Sequence, residues 1–120
     1  MKKHISIAPP YSLLFISDPN LGEEPEQNGA HLLWTDTVIS ITCHDEYDGE
    51  TSITLGDDAD VAPERPAVAD RYILTPSGEV VVTTVELAVV LRATVPSTRT
   101  RVRIWENHPT EPDDIVIGLG

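Results

Sequence analysis

Only one cysteine, Cys43, occurs among the 120 residues, so no disulfide can form within the chain. A reducing compartment, the cytoplasm, is the expectation. Aromatic residues are scarce as well: one Phe, three Tyr and two Trp make up 5% of the chain. Paired acids could serve glycoside hydrolysis, but so few rings build no sugar-binding platform. Lys and Arg number 8 against 20 Asp and Glu, a formal charge of −12. That potential repels nucleic-acid phosphate and anionic lipid and speeds encounter with a basic partner. No apolar run approaches the ~20 residues of a membrane-spanning helix. Met1-Lys2-Lys3 followed by Ile5, Ile7, Leu13 and Leu14 imitates a secretory leader, but Pro9-Pro10 interrupts it and no small-residue cleavage site precedes Asp18. A soluble protein with no membrane attachment is expected.

Catalytic signatures are missing too. His4, His31, His44 and His108 lie far apart and form neither HxH nor HExxH. Neither a GxSxG elbow nor a phosphate-cradling glycine loop occurs. Cys43 ends the alternating run Ile39-Ser40-Ile41-Thr42-Cys43, the setting of a buried thiol and not of a nucleophile. The chain therefore reads as a non-enzyme with no catalytic residues, no metal ligand set and no cofactor.

What the chain does have is acid, unevenly placed. Residues 18–64 hold thirteen Asp and Glu without one Lys or Arg, whereas residues 65–120 set six Arg against seven acids. Two clusters stand out: Asp45-Glu46-Tyr47-Asp48-Gly49-Glu50, and Asp57, Asp58 and Asp60. Displayed together at one end of the molecule, Asp45, Glu46, Asp48, Glu50, Asp57, Asp58 and Asp60 would form an anionic face for a basic protein, with Tyr47 as its aromatic anchor. Nucleases and other nucleic-acid-binding proteins keep cationic grooves that such a face fits, so inhibition of one of them is the function expected, without direct contact to nucleic acid. Two other uses stay open. The chain could be a calcium-binding or structural β-sandwich interaction module, its loops gathering the roughly six to eight oxygens that calcium takes although the spacing matches no EF-hand, and surface acid also simply keeps proteins soluble.

Apolar residues make up 40% of the chain and prolines number 10, which fits one folded domain over residues 1–120 with several loops. Period-two alternation marks strands at residues 4–7, 11–17, 37–44, 51–55, 71–75, 79–84, 86–95, 98–105 and 114–119. Residues 11–17 are apolar on both faces, which places them inside a sheet or under cover at one end. Residues 18–30, with Pro19, Gly22, Glu23, Glu24, Pro25 and Glu26, read as a loop, and residues 56–69 as a second, Pro-rich linker. Hairpins are expected at residues 45–49 and, from its turn chemistry, at Pro76-Ser77-Gly78. No segment carries helical spacing. The fold class is all-β, an antiparallel β-sandwich of about eight short strands with little or no helix, a closed barrel remaining the alternative.

Arg99, Arg101 and Arg103 fall on one face of a strand beside Trp105. They could pair with the chain's own acids, line a protein interface, or contact nucleic acid. Taken in order, the alternating first strand leading to Tyr11-Ser12-Leu13-Leu14-Phe15, the acidic loop, Trp34-Thr35-Asp36, the Thr75-Pro76-Ser77-Gly78 turn before Val80-Val81-Val82, and the late strand ending in Trp105 resemble the competence protein J family of nuclease inhibitors. The resemblance implies a small acidic protein that holds a nuclease inactive by direct binding. It transfers no interface residue, because no inhibitory motif is matched, and residues 56–69 have no counterpart in it.

Overall fold

The computed structural model describes residues 2–20, 22 and 24–120; Glu23, counted above among the loop acids, lies outside them, as do Met1 and Leu21. The nine alternating segments and one short strand the sequence did not mark, β3, make ten strands among the described residues: β1 Lys2–Ile7, β2 Leu13–Ser17, β3 Leu32–Trp34, β4 Val38–Thr42, β5 Thr51–Asp57, β6 Ala69–Leu74, β7 Glu79–Thr84, β8 Val89–Thr94, β9 Arg99–Glu106 and β10 Asp114–Leu119. Helix is confined to one turn, α1 Asp58–Val61, and a 3-10 turn at Pro10–Ser12. The strands form two sheets of five, ordered β1-β5-β10-β9-β6 and β3-β4-β2-β7-β8. Every pairing is antiparallel except β10 beside β5.

Alternation decides what lies between the sheets. Ile53 and Leu55 of β5, Val102 and Ile104 of β9, and Ile115 and Ile117 of β10 face Leu14 and Ile16 of β2, Ile39 and Ile41 of β4, and Val80 and Val82 of β7, and every one of them is fully buried. Each such side chain contributes roughly 1.5–3 kcal/mol. Sandwich, not barrel, is the outcome. On one side the sheet edges β1 and β8 approach each other without pairing, and Lys3 Nζ donates to the Arg92 carbonyl at 2.6 Å.

Loops cover both outer faces. Asp18, Pro19, Asn20, Gly22 and Glu24 lie over Phe15, Val38 and Val81, and Gln27 Nε2 reaches Ser40 Oγ at 3.4 Å. This explains why β2, central in its sheet, is apolar on both sides. On the other sheet, residues 58–68 fold over β9 and β10 as a strap. Trp105 Nε1 donates to the Arg65 carbonyl at 2.8 Å and Val68 N to the Ile104 carbonyl at 2.8 Å. Gly118 lies directly beneath, where a Cβ would come within 2.8 Å of Asp58 Oδ1 and 3.0 Å of Trp105 Cζ3. Only a hydrogen at this position lets the strap sit flat.

Connectivity departs from the sequence reading. β4 and β5 lie in different sheets, so residues 45–49 turn a corner of the sandwich and make no hairpin. Pro76-Ser77-Gly78 adopts the expected turn, with Gly78 at φ +78 and its N–H on the Thr75 carbonyl at 3.1 Å, yet it too passes between sheets, from β6 to β7. Consecutive strands pair at β3–β4, β7–β8 and β9–β10 instead. Residues 56–69 are no free linker: β5 runs on to Asp57, and α1 and the strap follow. The segment 86–95 pairs only from Val89 onward. Leu87 stands at the hairpin tip with φ +61, 75% exposed, not facing inward.

Candidate partner-binding surface

The two acidic clusters do not share an end. One precedes β5 and the other follows it, and a strand of that length separates its ends by about 20 Å. The single anionic face expected from the sequence is therefore not formed, and neither is the paired-loop calcium site: among the described residues no three His, Cys, Asp or Glu gather as a metal would require.

Beyond β5, Asp58 is held by Arg103 Nη1, at 3.0 and 3.3 Å to its two oxygens. Arg101 binds Asp70 through Nε and Nη2 at 2.8 and 2.6 Å. That contact holds the Asp70 carboxyl below the usual carboxylate range, so the small stability it adds is present at neutral pH and is lost on acidification. Two of the three stripe arginines thus pair with the chain's own acids. Asp57 and Asp60 lie exposed on either side of Asp58. Asp18, first of the acid run, is buried, its Oδ2 accepting from Ser77 N at 2.9 Å and Ser77 Oγ at 2.7 Å. Its role is to bind the turn.

Ahead of β5 the picture is different. The turn at residues 45–48 is closed by Asp48 N on the Asp45 carbonyl at 3.0 Å and Tyr47 N on Asp45 Oδ1 at 2.8 Å. It leaves Tyr47 89% exposed, with Asp45, Asp48 and Glu50 also exposed and Glu46 partly so. Alongside runs the loop between β9 and β10, which the sequence marked only as a strand break. His44 N donates to the Pro112 carbonyl at 2.8 Å and Ser52 N to the Asp113 carbonyl at 2.7 Å, and Asn107 braces the loop through Asp113 Oδ1 at 2.6 Å. Glu111, Asp113 and Asp114 thereby join Asp45, Glu46, Asp48 and Glu50 at one pole, and residues 43–52 and 106–116 contain no Lys or Arg. Beside it, Tyr11 is 81% exposed. Tyr11 and Ser12, expected in a strand, take left-handed φ of 59 and 55, and the Ser12 carbonyl accepts the Cys43 N–H at 2.9 Å.

A cleft of about 350 Å³ opens at this pole between Ser12, Gly29, His31, Thr42, Asp45 and Glu111. At its floor His31 bridges Glu106 Oε2, at 2.6 Å, and Thr42 Oγ1. The order carboxylate, imidazole, hydroxyl has the outline of a nucleophilic triad. Thr42, however, donates its proton to the Thr110 carbonyl at 3.2 Å, so it faces His31 as an acceptor. The bridge ties three segments of the pole together. No sequence motif could have shown it, since His31 and Glu106 lie 75 positions apart.

Cys43, 2% exposed, has its thiol pushed up to about 11 by burial, with the Thr51 hydroxyl pulling the other way. The folded chain is expected to resist iodoacetamide at pH 8 and the guanidinium-unfolded chain to alkylate fully. An unfolded thiol ionises first, so stability should hold nearly constant below about pH 8.5 and fall by roughly 2 kcal/mol between about pH 9 and pH 11, read from denaturant melts across that range.

No family model and no curated protein matches the sequence. Two solved structures are similar. One, the crocagin biosynthetic gene J product, has a TM-score of 0.49 at 17% identity over 98% of this chain and 94% of that one. The other is ComJ from Bacillus subtilis, inhibitor of the DNA-degrading activity of NucA, with a TM-score of 0.67 at 9% identity, covering 99% of this chain and 93% of that chain. No helix among the described residues is long and apolar enough to cross a membrane. The resemblance to the competence protein J family extends to the fold: this chain has the β-sandwich of ComJ over nearly its whole length.

Proposed function

We propose that the chain is a non-enzymatic inhibitor that binds a nuclease, or another nucleic-acid-handling protein, by presenting its acidic pole to the partner's cationic groove in the cytoplasm. The observation that carries this reading is the pole itself. Asp45, Glu46, Asp48 and Glu50 surround the projecting Tyr47, backbone hydrogen bonds lock their turn to the neighbouring acidic loop, and neither segment holds a cation. Carboxylates fixed before the partner arrives meet its positive groove with little ordering cost, and Tyr47 adds contact area where charge alone gives little affinity. The fold shared with a nuclease inhibitor supports the same reading.

We leave Asp57, Asp58 and Asp60 out of this surface, because Asp57 ends β5 at its far end, Asp58 and Asp60 follow it, and Arg103 already engages Asp58. The immobilised chain is expected to deplete DNA-degrading activity from a lysate of its source cells and to suppress that activity in solution, with weaker capture as salt rises. Activity that passes through undiminished at low salt would overturn the proposal.

A further inference from the structure

A second surface, on the opposite charge footing, lies along β6. This strand closes its sheet, bonded to β9 on one side and to no strand on the other. Thr75 N points to the Thr98 carbonyl, toward β9, and Leu74 N points away, to the Asp36 carbonyl at 2.9 Å. Strand alternation then turns the backbone N–H and C=O groups of Asp70 and Tyr72 outward. An unbonded edge of this kind is a template for another strand.

The side chains around it are unusual for so acidic a chain. Arg71 Cζ lies 3.6 Å from the centre of the Trp34 ring, and Arg99 Cζ lies 4.3 Å from that of Tyr72. Among the described residues Arg92, Arg101 and Arg103 have carboxylate partners, while Arg71 and Arg99 have none. Trp34, Tyr72 and Leu74 are each about half exposed. A cleft of about 260 Å³ opens beside Tyr72, Arg99 and Arg101, floored by Val95 and Leu119. Arginines on an edge strand can also serve to repel strand pairing. Such guards project into water, whereas Arg71 and Arg99 lie over rings, which orients their guanidinium groups and leaves donors for an anionic visitor.

We propose that the β6 edge is a docking site for an extended acidic segment of another protein, which adds as a strand to the sheet. The segment's backbone bonds Asp70 and Tyr72, and its alternate side chains reach Arg71 and Trp34 on one face and Arg99 and Tyr72 on the other. Charge complementarity favours this occupant: Arg71 and Arg99 have no carboxylate partner among the described residues. Nucleic acid would also suit arginine and aromatic rings, but a net charge of −12 repels its phosphates and it has no use for an amide ladder. This site is separate from the acidic pole and does not depend on it.

The test is fluorescence anisotropy with a labelled peptide of alternating Glu and Val, blocked at both ends. Parallel probes are the same peptide with alternate backbone amides methylated, its Lys-for-Glu counterpart, and oligothymidylate. The acidic peptide is expected to bind. Methylation should abolish binding, the Lys peptide should fail, and joint Arg71→Glu and Arg99→Glu substitution should weaken binding at least about tenfold while the thermal melt stays at the wild-type midpoint. Equal binding of the methylated peptide, preference for oligothymidylate, indifference to the double substitution, or no binding of the acidic peptide would each overturn the proposal. So would a concentration-dependent doubling of mass that the double substitution removes, since the edge would then serve a second copy of the chain.

Discussion

Joint replacement of Asp45, Glu46 and Asp48 by Lys is expected to weaken capture of the proposed nuclease partner at least about a hundredfold, close to 3 kcal/mol. The substitution removes three attractive charges and sets three repulsive ones against a cationic groove. The three side chains bury no core surface, and the one tie lost is the Tyr47 N–H to Asp45 Oδ1 bond, so the melting midpoint should shift by only a few degrees. Isothermal titration at two salt concentrations checks the result. Wild-type affinity with wild-type salt dependence would remove the acidic pole from the interface. Tyr47→Ala separates the contributions: a loss concentrated in the off-rate marks an anchor ring, whereas charge reversal acts strongly on the on-rate as well.

Trp105→Ala should destabilise the fold by about 3–5 kcal/mol, a large share of the 5–15 kcal/mol typical of a domain. The ring is 1% exposed although it sits on the outer side of its sheet, where the strap covers it and Arg103 stacks at 4.7 Å. Its removal leaves a cavity under residues 58–68 and strands the Arg65 carbonyl. Trp105→Phe keeps most of the packing and forfeits the Nε1–H bond, a loss of about 1 kcal/mol. Denaturant melts measure both. Limited proteolysis adds a local readout: cleavage within the strap should appear in the Ala variant well below the concentration at which the whole chain unfolds. A variant that melts like the wild type would mean that the strap holds without its central ring.

Most strand positions, the core side chains and the fold class are legible in the sequence, because burial on one face of a sheet writes itself as alternation; β3, three residues long, is too short to show it. Val102 and Ile104 against Arg101 and Arg103 could be read at sight. The choice of partner strand was not legible. A turn such as Pro76-Ser77-Gly78 needs the same residues whether it closes a hairpin or a corner between sheets, so its chemistry says nothing about which sheet the next strand joins. The separation of the two acidic clusters, by contrast, follows from the strand expected at residues 51–55, which lies between them and holds them at its opposite ends. Glu111, Asp113 and Asp114 were missed because Pro109 and Pro112 mark only a break, and nothing local shows that the break lies against His44 and Ser52. Trp105 was placed correctly on the arginine side. Its burial could not be read, since the acidic, Pro-rich composition of residues 58–68 is that of a solvated linker.

The position of β10 bears on how the molecule assembles. It lies mid-sheet, hydrogen-bonded in parallel to β5 and antiparallel to β9. Neighbouring residues here come from distant parts of the chain, with Ile53 beside Ile115 and Leu55 beside Ile117. Until that insertion happens, β5 has only β1 for company and the sheet is cut in two. The entropy of closing so long an intervening loop must be met before the pairing returns anything, which puts this topology among the slower single-domain folders. During that interval the bare side of β5, rich in Ile, Thr and Leu, is the stretch most open to intermolecular pairing, and its neighbours Asp57 and Glu50 supply the like-charge repulsion that keeps nascent copies apart.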